Sequence, residues 1–342
     1  ITNGTVKLGV NDEGHLNVSG GIGSAFDGTT DVGLRLITAN GELESTAHGC
    51  LCEGWGVAIS DGTLGTVSAG ASVSNSPGVS SNLSLVNFTS TATTATSTVQ
   101  ILTGVAPVLE VVHDSFPHPD TEFVYQVDVS ITNISGQTLG DTTTGARDLL
   151  YRRAMDWDIE PNTFDEHVTI QGHPADNLLF TSNDGFNNVD PTSSGAGIFA
   201  GTCSSGAYAD GINVTDCGPA DHGALFDFGF EGLLDGETRS FSTYYGAAPT
   251  EREMDLARAI AGIEVYSYGQ CDPNTFDADT DSCSITEGTP VTHMFGFAGV
   301  GGTAPPPPPP NDAPEPGTLA LASLAFVGLA GRRRLRGAVV GA

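Results

Sequence analysis

The chain has 342 residues, 45 of them glycine, with 41 acidic against 12 basic residues and a formal net charge of −29. Hydrophobic residues at 39% are enough for a buried core, which excludes global disorder. The acidic excess, with Lys7 as the sole lysine, excludes a nucleic-acid backbone as partner, and the wealth of Gly, Ser, Thr and Asp argues against a helical bundle.

The chain opens at Ile1 without a basic segment or apolar leader, as expected of a fragment or of a chain whose leader has been removed. Strands are expected over 4–10, 32–38, 55–60, 82–89, 97–103 and 108–113, with Asn3-Gly4, Asn40-Gly41 and Asp61-Gly62 as turn signals between them. Over 123–131, Phe123, Tyr125, Val127, Val129 and Ile131 alternate with Gln126, Asp128 and Ser130, the period of a half-buried strand. The same period over 149–159 puts Leu149, Tyr151, Arg153, Met155, Trp157 and Ile159 on one face. Arg152, Asp156, Asp158 and Glu160 share the other, which reads as an acidic face turned to solvent. Further strands are expected at 166–171, at 224–230 with Ala224, Phe226, Phe228 and Phe230 on one side, at 238–246 and at 291–297. One helix is expected, opening after Pro249 and Thr250 with Glu251, Arg252 and Glu253 and closed by Gly262. Many strands and one helix predict an all-β body over 1–300, a β-sandwich built as one large or two packed sandwiches.

After the body, Gly301 and Gly302 and the six prolines of 305–310 read as a stiff spacer over 301–313. Pro314, Glu315 and Pro316 follow, then an apolar stretch over 319–330, then Arg332, Arg333, Arg334 and Arg336. The stretch is at the short end of what spans a bilayer, and the arginines belong on its cytoplasmic side. This order, Pro-Glu-Pro, apolar helix, arginine cluster, resembles the PEP-CTERM sorting signal of exported Gram-negative proteins. Residues 337–342 extend past the arginines, where such tails usually stop. The resemblance implies an exosortase as partner, membrane contact only through the C-terminal helix before processing, and a final place at the cell surface or in the extracellular matrix. The strings at 49–56, 151–158 and 221–228 together resemble a recurrent exported β-protein body that accompanies such tails; that likeness implies no activity and carries over no site residues.

Six cysteines agree with export. Cys203 with Cys217, and Cys271 with Cys283, each enclose a short polar loop that a disulfide could close, a closure worth ~3 kcal/mol for ~15 residues. Cys50 and Cys52 stand one residue apart and are expected not to bridge each other easily. No cofactor is required by these residues; calcium is the ion they could hold. Asp277, Asp279 and Asp281 form an Asp-x-Asp-x-Asp loop inside the second cysteine pair, with hard oxygen donors spaced to wrap one Ca²⁺, although Ser282 and Gly288 depart from an EF-hand. On a flat strand Asp156, Asp158 and Glu160 would stand ~6.6 Å apart, too far to share one ion without a neighbouring strand.

Other polar groups invite catalytic readings. The string Asp156-x-Asp158-x-Glu160 resembles the catalytic strand of chitinase-type glycoside hydrolases, whose last Glu is the acid, but that family needs a (β/α)₈ barrel. His113, Asp114, His118 and Asp120 could ligate zinc in a turn. Asp221 and His222 suggest part of a Ser-His-Asp triad, with no Gly-x-Ser-x-Gly elbow to complete it. The leading expectation is a non-enzymatic structural or adhesive protein of an exopolysaccharide or biofilm layer, with surface polysaccharide as a partner. A calcium-dependent carbohydrate-binding module and a secreted glycan hydrolase using Asp156, Asp158 and Glu160 are the alternatives.

Overall fold

The computed structural model describes residues 1–74, 82–195, 202–203, 206–207, 209–271 and 290–308. The described residues are mostly β, with one helix, arranged in three antiparallel sheets. The smallest joins Val6–Leu8, Leu34–Thr38 and Gly41–Glu44. A five-stranded sheet runs Leu178–Ser182, Gly223–Phe230, Leu149–Asp156, Glu53–Asp61, Gly65–Ser72. The largest runs from Val214–Ala220 through Glu166–Gln171, Val265–Gln270, Thr292–Ala298, Thr238–Ala248, Val124–Asn133, Ala106–Pro117 and Ala95–Thr103 to an edge at Leu83–Ser90.

Every expected strand is present to within a few residues. Those not anticipated are Gly41–Glu44, Gly65–Ser72, Leu178–Ser182, Val214–Ala220 and Val265–Gln270, with the short pair Thr202–Cys203 and Gly206–Ala207. Their compositions explain why. Gly65–Ser72 is glycine, serine, alanine and threonine around a single valine, and Val214–Ala220 contains a proline, so neither displays a period of two.

The five-stranded and largest sheets pack through aromatic rings. Phe226 and Phe228 of one sheet lie 5.1 and 4.6 Å, centroid to centroid, from Phe297 of the other, and Phe230 lies 5.5 Å from Phe241. The first two pairs are edge-on and tilted and the third is stacked, and such pairs contribute roughly 0.5–1.5 kcal/mol each beyond their buried area. Helix Glu251–Ala261 lays Met254 and Ala257 on Val124, Tyr244 and Met294 of the largest sheet. Its ends are locally encoded: Thr250 Oγ1 accepts the Glu253 N–H at 3.2 Å and donates to the Glu253 carboxylate, and Gly262 closes the helix in the left-handed conformation.

One expectation is overturned. Strand Leu149–Asp156 lies in the middle of its sheet and is covered on both sides, so Arg152, Asp156, Asp158 and Glu160 do not form a solvated acidic face; none is more than 2% exposed. The side expected to be outer is roofed by the segment carrying Val189 and Ser193. Arg152 donates there to the carbonyls of Asn188 and Ser193 and makes a two-pronged ion pair with Asp227 at 2.6 and 2.8 Å.

The compact unit extends to Pro306. The Gly301–Gly302 joint is tied into it: the Gly302 N–H donates to Glu264 at 2.9 Å, and the Gly301 carbonyl accepts from Asp176 N–H at 2.9 Å. The sorting residues Pro314, Glu315, Pro316, Arg332, Arg333 and Arg334 lie outside the described residues, as do Asp277, Asp279, Asp281 and Cys283.

Candidate metal centre

The polar side chains that converge are not those the sequence spacing favoured. Strand Leu149–Asp156 stops at Asp156, and the next residues turn onto new partners: Trp157 N–H donates to the His222 carbonyl, Asp158 N–H to Ser45 and Glu160 N–H to Glu44. Because Asp158 has left the pleat, its carboxylate is not held a strand repeat from that of Asp156. Asp221 arrives from the turn before Gly223–Phe230, where Gly223 stands opposite Asp156 in the ladder. One carboxylate oxygen from each of Asp156, Asp158 and Asp221 lies within 4.8 Å of the others. Asp156 and Asp158 are buried, and Asp221 is half-exposed at the mouth.

Two glycines allow this closure. A Cβ on Gly185 would meet the Asp156 Cα at 2.5 Å, and one on Gly223 would meet the Gly185 Cα at 2.3 Å. The Asp184-Gly185 turn signal was legible in the sequence; that it lies on the backbone of Asp156 was not.

The electrostatics of the group are those of buried carboxylates opposed by His48, acting on Asp158. Burial first, and then the neighbouring Asp158 and Asp221, push Asp156 well above the usual carboxylate range. Burial likewise raises Asp158 to about 8, against a partial pull from His48, and raises Glu166 to about 10, with Asp158 adding to it. Asp221 is raised by burial and by Asp165. Asp156 Oδ1, both Asp158 oxygens, Glu166 Oε2 and Asp221 Oδ1 are buried with no hydrogen-bond partner. The His48 backbone N–H pulls on Asp158 from outside hydrogen-bond geometry. Glu166 Oε1 is satisfied, accepting the His222 N–H at 2.6 Å.

Glu160 belongs to a different and self-contained arrangement. Burial raises its pKa, but His48, Ser24 Oγ at 2.5 Å and the N–H groups of Asp27 and Glu44, both at 3.0 Å, outweigh burial and hold it at about 2. His48 Nε2 stands 3.3 Å from Glu160 Oε1. Burial lowers the His48 pKa, yet Glu160, Glu44 and Asp27 together outweigh burial and raise it, which favours the protonated ring beside the carboxylate. Asp27, His48 and Glu160 also bring ligand atoms within 4.8 Å of one another, but there an imidazole already stands 3.3 Å from the Glu160 carboxylate.

The remaining sequence candidates are scattered. His113 is buried 4.7 Å from the Trp55 ring while its neighbour Asp114 faces solvent and accepts from Thr96. His118 and Asp120 sit in a surface turn, so no zinc set forms from these four. His222 Nδ1 accepts from Asn183 Nδ2 at 2.9 Å, and among the described residues no serine hydrogen bond to His222 completes a triad. Cys203 and Cys217 are bridged as expected, facing each other across paired strands. Cys50 and Cys52 also bridge each other, against expectation: their Cα atoms are 5.2 Å apart, inside normal disulfide range. Cys50 Sγ lies 3.6 Å from Asp156 Oδ2, so this bridge borders the carboxylate group. Cys271 is disulfide-bonded, and Cys283, its expected partner, lies outside the described residues.

Residues 312–334 match the PEP-CTERM protein-sorting motif. No curated protein and no solved structure matches the chain. The motif implies a protein sorted by exosortase to the cell surface or exterior.

Proposed function

We propose that the chain is a structural or adhesive component of the extracellular matrix, a β-sandwich body delivered by its C-terminal sorting signal into an exopolysaccharide or biofilm layer of a Gram-negative cell. The observation that carries the adhesive part is the edge of the largest sheet. Strand Leu83–Ser90 is uncharged, pairs on one side among the described residues, and is largely exposed on both faces, with Leu85 43% and Val86 51% exposed. Unpaired N–H and C=O groups on such a strand are a template for adding another strand, and native proteins usually guard the position with charge or proline. A bulge between Leu85 and Asn87 is the guard present here.

The hydrolase reading has less support. A glycosidase acid must carry a proton at working pH, whereas Glu160 is held ionised at about 2. Both tryptophans are fully buried, so neither can stack on a sugar ring.

The test is self-association and matrix retention of the secreted protein with Leu85→Lys and Val86→Lys. Charge on an exposed edge should abolish assembly and shift the melting temperature by no more than about 1 °C, since surface substitutions are usually within ~0.5 kcal/mol. Unchanged assembly and retention in this variant would reject the edge as the adhesive element.

A further inference from the structure

The unmatched charge at the mouth of strand Gly223–Phe230 points to a ligand. We infer that Asp156, Asp158 and Asp221 bind one divalent cation of the calcium type. Three observations converge. The three carboxylates offer oxygens within 4.8 Å of one another, which is the width of a coordination sphere of ~2.4 Å radius, inside the calcium range of 2.3–2.6 Å. Asp156 Oδ1, both Asp158 oxygens and Asp221 Oδ1 are buried with no hydrogen-bond partner, so the trio is polar surface held inside the body without satisfaction. The buried arginines are committed elsewhere, Arg152 to Asp227, Arg153 to Glu53 and Arg35 to Glu44, and His48, the basic side chain that pulls on Asp158, stands 3.3 Å from Glu160.

The donors select the class of ion. All are hard carboxylate oxygens, and the convergent trio contains no imidazole or thiolate, which favours calcium over zinc or copper. Half-exposed Asp221 gives the ion a way in, and exposed Asp165 beside it adds to the local negative field. The adjoining Cys50–Cys52 bridge fixes the turn that borders Asp156. The proposed ligand set includes none of Asp277, Asp279 and Asp281, and it does not depend on the adhesive role of the sheet edge.

Trp157 lies between two of the proposed ligands, so tryptophan-sensitised terbium luminescence reads this site directly. Intact protein should show Tb³⁺ emission on indole excitation, displaced by Ca²⁺. Its melting temperature should rise by about 5 °C at a hundredfold excess of Ca²⁺ over the dissociation constant relative to chelator. Asp156→Asn with Asp158→Asn should lose both the emission and the shift while melting higher than wild type in chelator, because mutual repulsion is removed. Asp221→Asn, at the exposed mouth, leaves the core untouched and should weaken Ca²⁺ at least tenfold. Asp279→Ala with Asp281→Ala should keep the full response. No emission and no shift in wild type would overturn the site, and so would an undiminished response in both the double asparagine variant and Asp221→Asn.

Discussion

Buried arginines organise this body residue by residue. Arg153 donates from Nε to Glu53 at 2.6 Å and from Nη2 to the Gly14 carbonyl at 3.3 Å, and Tyr245 donates to the same Glu53 oxygen at 2.8 Å. Arg35 spends its donors on Glu44, Glu42 and the carbonyls of Ile22, Thr29 and Asp31, pinning an otherwise irregular segment to the small sheet. Removing one partner of such a pair leaves a charge in the core, so Arg153→Met should cost about 3–5 kcal/mol in chemical denaturation, and adding Glu53→Leu should recover much of the loss. Beside this network His113 is fully buried, and burial first, then the charges of Arg153 and His15, depress its pKa well below 6.5. The folded state keeps it neutral while the unfolded chain titrates near ~6.5, so the unfolded state binds more protons below that pH. Its contribution is therefore present above ~6.5 and lost as pH falls toward the folded value, at up to ~1.4 kcal/mol per pH unit. His113→Gln should flatten the denaturation profile between pH 6.5 and 5 by up to that slope; an unchanged slope would place the proton elsewhere. None of this was legible locally. Alternation correctly put Arg153 on the inward face, but that Arg152 is equally buried depends on Asp227 and Ser193, 75 and 41 residues away.

At the level of elements, what the sequence showed and what it hid separate by range. The helix carries its own ends in Thr250, Glu253 and Gly262, and Thr250→Ala should cost about 1 kcal/mol through the lost cap. Strand Gly223–Phe230 showed its phenylalanines at period two because one sheet face meets one core. Strand Leu149–Asp156 shows the limit of that logic, since a strand covered on both faces carries polar residues inward wherever a specific partner exists. The convergence of Asp156, Asp158 and Asp221 was hidden for the same reason: the period-two extrapolation continued the pleat to Glu160, whereas the strand ends at Asp156 and the turn before Gly223–Phe230 supplies the third carboxylate. Gly185 tests whether that geometry is set by close backbone approach. In Gly185→Ala the new Cβ would sit 2.5 Å from both the Asp156 Cα and the Met155 carbonyl oxygen. Neither is a flexible side chain, so the backbone must shift, at roughly 1–3 kcal/mol. Terbium emission should fall with it, while the remote cap variant Thr250→Ala leaves emission intact.

For the whole molecule, the sorting signal changes the charge of what remains. Four of the 12 basic residues, Arg332, Arg333, Arg334 and Arg336, lie in the tail, and no acidic residue follows Glu315. A mature chain ending near Pro316 would keep 8 basic against 41 acidic residues, moving the net charge from −29 to −33. Of those eight, Arg35, Arg152, Arg153 and Arg258 are buried, and Lys7 is paired with Glu42. The charges left at the surface are thus predominantly acidic, which sets them against one another. Two measurements follow. Intact-mass analysis of surface-extracted protein should find residues 332–342 absent; their retention would mean that the tail is not processed. Thermal unfolding of that material in chelator should shift upward as sodium chloride rises from ~10 to ~200 mM, because the screening length contracts from ~30 Å to under ~10 Å. This shift should persist in the Asp156→Asn, Asp158→Asn variant, since screening acts on the exposed charges and an enclosed carboxylate group feels it little. A salt response that vanished with those two residues would place the dominant repulsion inside the body, at the carboxylate group, and not on its surface.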